Sequence, residues 1–366
     1  MENLSENIQT LFSYDTELSA DSVEWCPHEP HQNVFVCANY QLEEKRDDHL
    51  ESTVVHRTRK GRVLLFSITA DNGLKLHETV NCPAVLDQKW CHERVNDSSH
   101  LGVVNANKEV TIFKLNVEGT SLETATTCNV DSDESETLVL SLDWSTGIYQ
   151  SNEPEIICSD SKGNIHLLHL CGDSLQLIDT WNAHKFEAWI AAFYYWNTNI
   201  IFSGGDDSMF LKFDKRVGNQ PVSRNRSHGA GVTSIHSNKS KEFIVATGSY
   251  DEYVRIWDTR NMKSEMSSIK MPGTLWRLKW DPFLQTHLLA ACMLGGVHIL
   301  NVQDIERMKI VGSYYEHKNI AYGADWCYSN KEFCDNFDGP GSSILGTCSF
   351  YDHLLCISKF DGIDVK

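Results

Sequence analysis

Apolar and polar residues alternate along most of the chain in short runs, and one kind of run recurs. Six copies end on an aromatic: Trp25 (after Ser22-Val23-Glu24), Trp90, Trp144 (after Ser141-Leu142-Asp143), Phe193, Trp280 (after Arg277-Leu278-Lys279) and Trp326 (after Gly323-Ala324-Asp325). A seventh, Val232 to Ser237, keeps the frame without the aromatic. Their ends lie 65, 54, 49, 44, 43 and 46 residues apart, the length of one four-stranded unit with its loops. Behind each comes a tight polar turn, at Lys60-Gly61, Lys108-Glu109, Lys162-Gly163, Asp207-Ser208, Asp251-Glu252, Gly295-Gly296 and Asp352-His353. Strands of two-residue period follow, as in Tyr253-Val254-Arg255-Ile256-Trp257. No long segment has helical periodicity. The longest uncharged run, 188–205, is split by Asn197-Thr198-Asn199 into two apolar pieces, which predicts two strands joined by a turn and no membrane span. Seven all-strand units predict a β-propeller: one domain over 1–366, with blades near 19–80, 81–135, 136–182, 183–226, 227–270, 271–316 and 317–360.

The sharpest copy, Ala246-Thr247-Gly248-Ser249-Tyr250-Asp251-Glu252-Tyr253-Val254-Arg255-Ile256-Trp257-Asp258, resembles the WD-repeat signature. That resemblance implies a buried tetrad of His228, Thr247 or Ser249, Asp251 and Trp257. The physics agrees, because a buried carboxylate is tolerated only when its acceptors are satisfied. Blade four matches with His184, Ser203 and Asp207, but has Phe213 in place of the Trp. The resemblance also implies that the segment 10–18, which has no unit of its own, supplies the outer strand of blade seven and closes the ring, leaving no free sheet edge. The expected fold is thus all-β, a seven-bladed WD-repeat β-propeller closed by an N-terminal strand. Gln41–Lys60, Asp131–Glu136 and Cys327–Gly341 stand outside the frame and read as solvated surface loops.

Charge narrows the function classes. Thirty-two basic and fifty acidic residues give a net charge of −18, with no basic run, which argues against nucleic acid as a partner and for a cationic one. The twelve cysteines contain no C-x-x-C pair and read as small buried hydrophobes of a cytoplasmic chain. The first residues have neither the basic start nor the apolar stretch of a secretory leader. No G-x-S-x-G elbow, H-E-x-x-H, P-loop or G-x-G-x-x-G occurs, so no metal and no cofactor are expected. Any catalytic groups would converge from different blades at the channel mouth.

Aligning the units on their last residue puts Asp21, Leu86, Leu140, Trp189, Thr233, Trp276 and Tyr322 where the inner strands enter from that mouth. Trp189, Trp276 and Tyr322 are either strand packing or part of a cage that grips a quaternary ammonium through ring quadrupoles. Near the same mouth fall Glu187, Asp206, Tyr250, Arg277, Tyr351 and His353. Arg277 suits a carbonyl or carboxyl oxygen. His353 has the intrinsic pKa of a general base, or is only a turn residue. His184 reads as a tetrad histidine in preference to a metal ligand.

Several stretches resemble one family more closely: His184-Lys185-Phe186-Glu187-Ala188-Trp189-Ile190-Ala191-Ala192-Phe193, Trp276-Arg277-Leu278-Lys279-Trp280-Asp281-Pro282-Phe283, Tyr322-Gly323-Ala324-Asp325-Trp326 and Cys348-Ser349-Phe350-Tyr351-Asp352-His353. They are similar to the WD-repeat diphthine methyl ester esterases, also called diphthine methyltransferases, densely over 181–353 and thinly before. The resemblance implies a role in diphthamide biosynthesis: hydrolysis of the methyl ester of diphthine methyl ester on translation elongation factor two, giving diphthine and methanol. The partners implied are that factor and other diphthamide-pathway proteins, with no nucleic acid and no membrane. Its substrate carries a trimethylammonium, which a cage of Trp189, Trp276 and Tyr322, with Asp206 and Tyr250 beside it, would grip. Ester hydrolysis also needs an activated nucleophile and oxyanion donors. Water activated by His353 or Glu187, with Arg277 polarising the carbonyl, would supply them; Ser349 is a further candidate nucleophile. A non-catalytic WD-repeat scaffold is the competing expectation.

Overall fold

The structure is a computed structural model that describes residues 7–46, 55–132, 136–337 and 342–362. Twenty-eight strands form seven antiparallel four-stranded sheets, the blades of a propeller. The inner strands are Ala20–Trp25, Val85–Trp90, Val139–Trp144, Ile190–Phe193, Val232–Ser237, Arg277–Trp280 and Ala321–Trp326. Ile8–Asp15 pairs with Leu354–Asp361, Ile8 opposite Phe360 and Asp15 opposite Leu354, so the N-terminal strand completes blade seven and closes the ring as expected. The predicted strand pair in 188–205 is Ile190–Phe193 and Ile200–Gly204. No described helix is long and apolar enough to cross a membrane.

The recurrent terminal aromatic has a direct cause. Trp90 Nε1 donates to Glu24 O (3.1 Å), Trp144 to Lys89 O (2.9 Å), Trp280 to His236 O (3.1 Å) and Trp326 to Lys279 O (3.0 Å). Each indole thus fills the gap between blades and ties its blade to the previous inner strand. Ser237, in the copy without an aromatic, donates instead to Phe193 O (3.0 Å).

The tight turns of blades two to seven place Lys108, Gly163, Ser208, Glu252, Gly296 and His353 at positive φ. Lys60-Gly61 in blade one is not a turn. Strands Val34–Arg46 and Val55–Thr69 run on as one long hairpin, with Gln41 opposite Lys60 and Tyr40 opposite Gly61. The charged residues read as a loop pair across it, Glu44 with Arg57 (2.9 Å) and Glu43 with Lys60 (2.6 Å). A Cβ at Gly61 would meet Asn39 O at 2.5 Å and Ala84 Cα at 2.7 Å, so the glycine serves close approach of backbones and not reversal. In the second insertion Asp131 accepts from Thr137 Oγ1 (2.7 Å), while 133–135 lie outside the described residues. In the third, Lys331–Asp335 is a short helix that buries Cys334, followed by buried Phe337; 338–341 lie outside the described residues.

The blade-five tetrad is built on Thr247, not Ser249. Trp257 Nε1 donates to Thr247 Oγ1 (2.8 Å), which also bonds His228 Nε2 (3.1 Å). Arg255 stands between His228 Nδ1 (3.0 Å) and Asp251 (2.8 Å). In blade four His184 bonds Ser203 (2.8 Å) and Asp207 (2.9 Å). Blade seven has a related pair that the sequence reading passed over, His317 Nε2 with Thr347 Oγ1 (2.7 Å). Burial outweighs Asp352 and pulls His317 down to about 4. Its folded pKa is therefore depressed, and its contribution is full above about pH 6.5 and lost as pH falls towards 4. The stability difference between the wild type and His317→Gln should narrow by about 1.4 kcal/mol per pH unit across that window, as read by urea unfolding.

Candidate functional site

The residue before each terminal position turns into the central channel, giving a ring of Glu24, Lys89, Asp143, Ala192, His236, Lys279 and Asp325. Most of its polar groups hold neighbouring blades together. Asp325 accepts Trp25 N–H (2.8 Å), Asp143 accepts Phe193 N–H (2.8 Å), and His236 Nδ1 accepts Trp280 N–H (3.1 Å). Asp87, two residues before Lys89, accepts Leu142 N–H (3.0 Å) and pairs with Lys89 (2.6 Å) and Arg277 (2.9 Å). Lys279 lies between Glu24 (2.6 Å) and Asp325 (3.7 Å). Burial pushes Glu24 up to about 7 and Asp143 up to about 6.

Above this ring, at the mouth formed by the tight turns and the loops entering the inner strands, the predicted aromatics meet. Trp276 stacks on Tyr322 (centroids 4.7 Å, 23°) and lies nearly parallel to Tyr250 (6.2 Å, 19°). Trp189 stands across the edges of Trp276 (5.7 Å, 65°) and Tyr250 (6.0 Å, 74°). Phe350 continues the cluster against Tyr322 (5.3 Å) and Tyr40 of the long hairpin (5.9 Å). The arrangement differs from three walls made of Trp189, Trp276 and Tyr322. Two rings stacked 4.7 Å apart leave no space for a cation between them, and neither do Tyr250 and Trp276 at 6.2 Å, so a cation would rest on the outward ring faces, within about 6 Å of a centroid. The corner is formed by Trp189, Tyr250 and Trp276, with Tyr322 packed behind as support.

Carboxylates rim that corner. Asp206, exposed, accepts Trp189 Nε1–H (3.0 Å) and so orients the indole. Glu187 O accepts Asp206 N–H (2.9 Å), and both side chains act on Tyr250, whose hydroxyl is raised chiefly by burial and then by Tyr322, Asp206 and Glu187. Trp276 Nε1 is a buried donor without a partner among the described residues.

Three sequence candidates sit differently from expectation. Arg277 is buried in the channel below the cluster and already paired to Asp87. His353 occupies the left-handed turn position (φ 56°) next to the third strand, and its carbonyl accepts Thr16 N–H (2.8 Å). Two strand spacings of about 4.8 Å separate that strand from the inner one, and the bond to Thr16 ties the His353 backbone to the ring closure. Ser349 is fully buried and donates to Asp352, so it does not reach a substrate.

Asp21 gains importance. The sequence placed it in the mouth ring by alignment alone. It is 5% exposed, one carboxylate oxygen has no partner among the described residues, and burial raises it well above the usual carboxylate range despite Arg277. A second group the sequence did not signal, His92, Tyr195, His236 and Lys239, lines the lower channel. No group of His, Cys, Asp and Glu suited to a metal ion occurs among the described residues, and all twelve cysteines are free.

Comparisons with known proteins agree with this architecture. Residues 219–258 match the WD domain, G-beta repeat family. Across 97% of this chain and 92% of the other, the fold is similar to a chain in the crystal structure of the mitotic checkpoint complex, with a TM-score of 0.67 at 16% identity. Diphthine methyltransferase from Mus musculus is 41% identical over 88% of this chain and 70% of its own length. The protein of that name from Homo sapiens is 38% identical over 87% and 74%, and the Dictyostelium discoideum homolog is 34% identical over 93% and 96%. With such identities over most of both partners in each pairing, the chain belongs to the diphthine methyltransferase family.

Proposed function

We propose that this protein acts in diphthamide biosynthesis in the cytoplasm, hydrolysing the methyl ester of diphthine methyl ester on translation elongation factor two to diphthine and methanol. The observation that carries the reading is the corner of Trp189, Tyr250 and Trp276 rimmed by Asp206 and Glu187. Ring faces and carboxylates are what a trimethylammonium needs, since it has no N–H to donate and is held by quadrupoles and unpaired negative charge. A protein-bound substrate fits a site at an open mouth.

Water adds to the ester carbonyl, its proton passes to a base, and the tetrahedral intermediate expels methoxide, which takes a proton and leaves as methanol. Glu187 is the base the reading favours, being half-buried and beside the cage. The polar groups the reading assigns to the developing oxyanion are Asp21, whose carboxyl burial raises well above the usual carboxylate range, and the Arg277 N–H groups not used in its pair with Asp87.

The relatives' name describes methyl transfer, the opposite direction on the same ester. Incubating the purified protein with ester-bearing elongation factor two alone, and with the free-carboxylate form plus S-adenosylmethionine, separates the two. Mass spectrometry of the modified histidine peptide should show loss of one methyl group in the first arm and no change in the second. Methyl gain on the free-carboxylate form would establish transfer instead, and binding without change in either arm would establish a scaffold.

The rim charge has its own signature. Asp206→Asn keeps an acceptor for Trp189 while deleting the charge, and should raise KM about two- to fivefold at low ionic strength, with kcat unchanged. The difference should fade as salt shortens the Debye length below about 8 Å; steady-state kinetics at three salt concentrations reads it.

A further inference from the structure

The lower half of the channel contains a group of residues that the proposed ester chemistry does not use. A narrow cavity of about 70 Å³ runs down to His92, Tyr195, His236, Lys239 and Gln285. Four cations face it, and three have carboxylate partners: Arg277 and Lys89 share Asp87, and Lys279 has Glu24 and Asp325. Lys239 is the exception. No carboxylate forms an ion pair with its ammonium among the described residues, and the group lies over the Tyr195 ring at 5.7 Å. Glu93 is the carboxylate that acts on it most strongly, followed by Asp143, and neither offsets burial, which pulls the ammonium down to about 8.

The other groups in the wall fix the sign of the site. His236 Nδ1 accepts Trp280 N–H (3.1 Å), so the proton of the neutral ring sits on Nε2, leaving that atom as a donor. The His236 ring packs on the same Tyr195 that carries Lys239 (6.0 Å, 87°). Tyr195 donates to Asp143 (3.3 Å) and accepts from His92 Nε2 (3.2 Å), so Asp143 is occupied by that hydroxyl and by Phe193 N–H. The backbone of Lys239 is pinned, its N–H donating to Gln285 Oε1 (2.9 Å). A positioned ammonium and a positioned imidazole N–H with no anion between them are the two halves of a charge-assisted oxyanion site.

We propose that the lower channel is a binding site for a small oxyanion, phosphate or a simple carboxylate, held by Lys239 Nζ and His236 Nε2–H beside Tyr195. The site adjoins the ion pairs of the inner ring, to which His236 belongs, and does not depend on the ester reading.

Thermal unfolding of the purified full chain tests it, comparing sodium phosphate, sulfate and formate with sodium chloride at equal ionic strength. At least one oxyanion should raise Tm in a saturable way, and which one gives the larger rise tells phosphate from carboxylate. Lys239→Met and His236→Gln should each weaken the apparent Kd about tenfold or more, the loss of one charged hydrogen bond. Without added oxyanion, Lys239→Met should be at least as stable as the wild type, because it removes a half-buried charge that has no ion pair among the described residues. The proposal is overturned by a Tm that does not distinguish oxyanions from chloride, by an equal rise in both variants, or by a Lys239→Met protein destabilised on its own, since the ammonium would then already be satisfied within the fold.

Discussion

Trp276→Ala is expected to lower kcat/KM for the ester-bearing protein substrate about thirtyfold. Trp276 is the ring with the most contacts in the cluster, lying against Tyr250, Trp189 and Tyr322. A desolvated cation over tryptophan is worth about 2 kcal/mol, and about 1.4 kcal/mol is a factor of ten. Losing the support that aligns Trp189 and Tyr250 adds to this. Two controls make the effect specific. Tyr149→Ala removes a ring that is 55% exposed in a loop at the opposite end of the propeller and should leave kinetics unchanged. A substrate analogue with a neutral tert-butyl group in place of the trimethylammonium should be hydrolysed slowly and equally by Trp276→Ala and the wild type. An unchanged kcat/KM for the cationic substrate in Trp276→Ala would remove the cage from the account.

Lys279→Met should cost about 3–5 kcal/mol of folding stability, the usual consequence of removing one partner from a buried ion pair. Lys279 is the cation shared by Glu24 and Asp325, both buried and both raised chiefly by burial. Without it two carboxylates face each other in the channel. The loss should be greatest above pH 7 and should shrink as pH falls, because Glu24, already raised to about 7, takes up a proton and ceases to repel. Lys279→Met combined with Glu24→Gln should recover part of the stability at pH 8. Urea unfolding at pH 8 and pH 5.5 checks both statements; a pH-independent loss would mean that packing, and not charge, is the role of Lys279.

The propeller was legible because its signals are local and repeated. In four blades the inner strand ends on an indole whose N–H reaches the previous inner strand. Aligning those positions also brought Trp189, Trp276 and Tyr322 to one mouth. The order of rings within the cluster was not legible, since Tyr250 comes from a turn and not from the aligned strand position, and only the packing shows it against Trp189 and Trp276 while Tyr322 stacks on Trp276. For His353 the turn position alone does not tell the inner from the outer side of a blade, and the structure shows its carbonyl bonded to Thr16 N–H of the closing strand. Lys60-Gly61 mimicked a turn because glycine serves close approach as well as reversal. The lower-channel residues gave no signal at all: Lys239, His236, His92 and Tyr195 come from three blades and meet only when the ring closes.

The most direct measurement of the central claim uses elongation factor two whose diphthine methyl ester carries a carbon-13 methyl group, incubated with the purified protein and no added cofactor. The account predicts stoichiometric release of labelled methanol with the corresponding free carboxylate on the factor, slowed about thirtyfold in Trp276→Ala. Binding of the labelled factor without methanol release, under conditions where the wild type is folded, would contradict it.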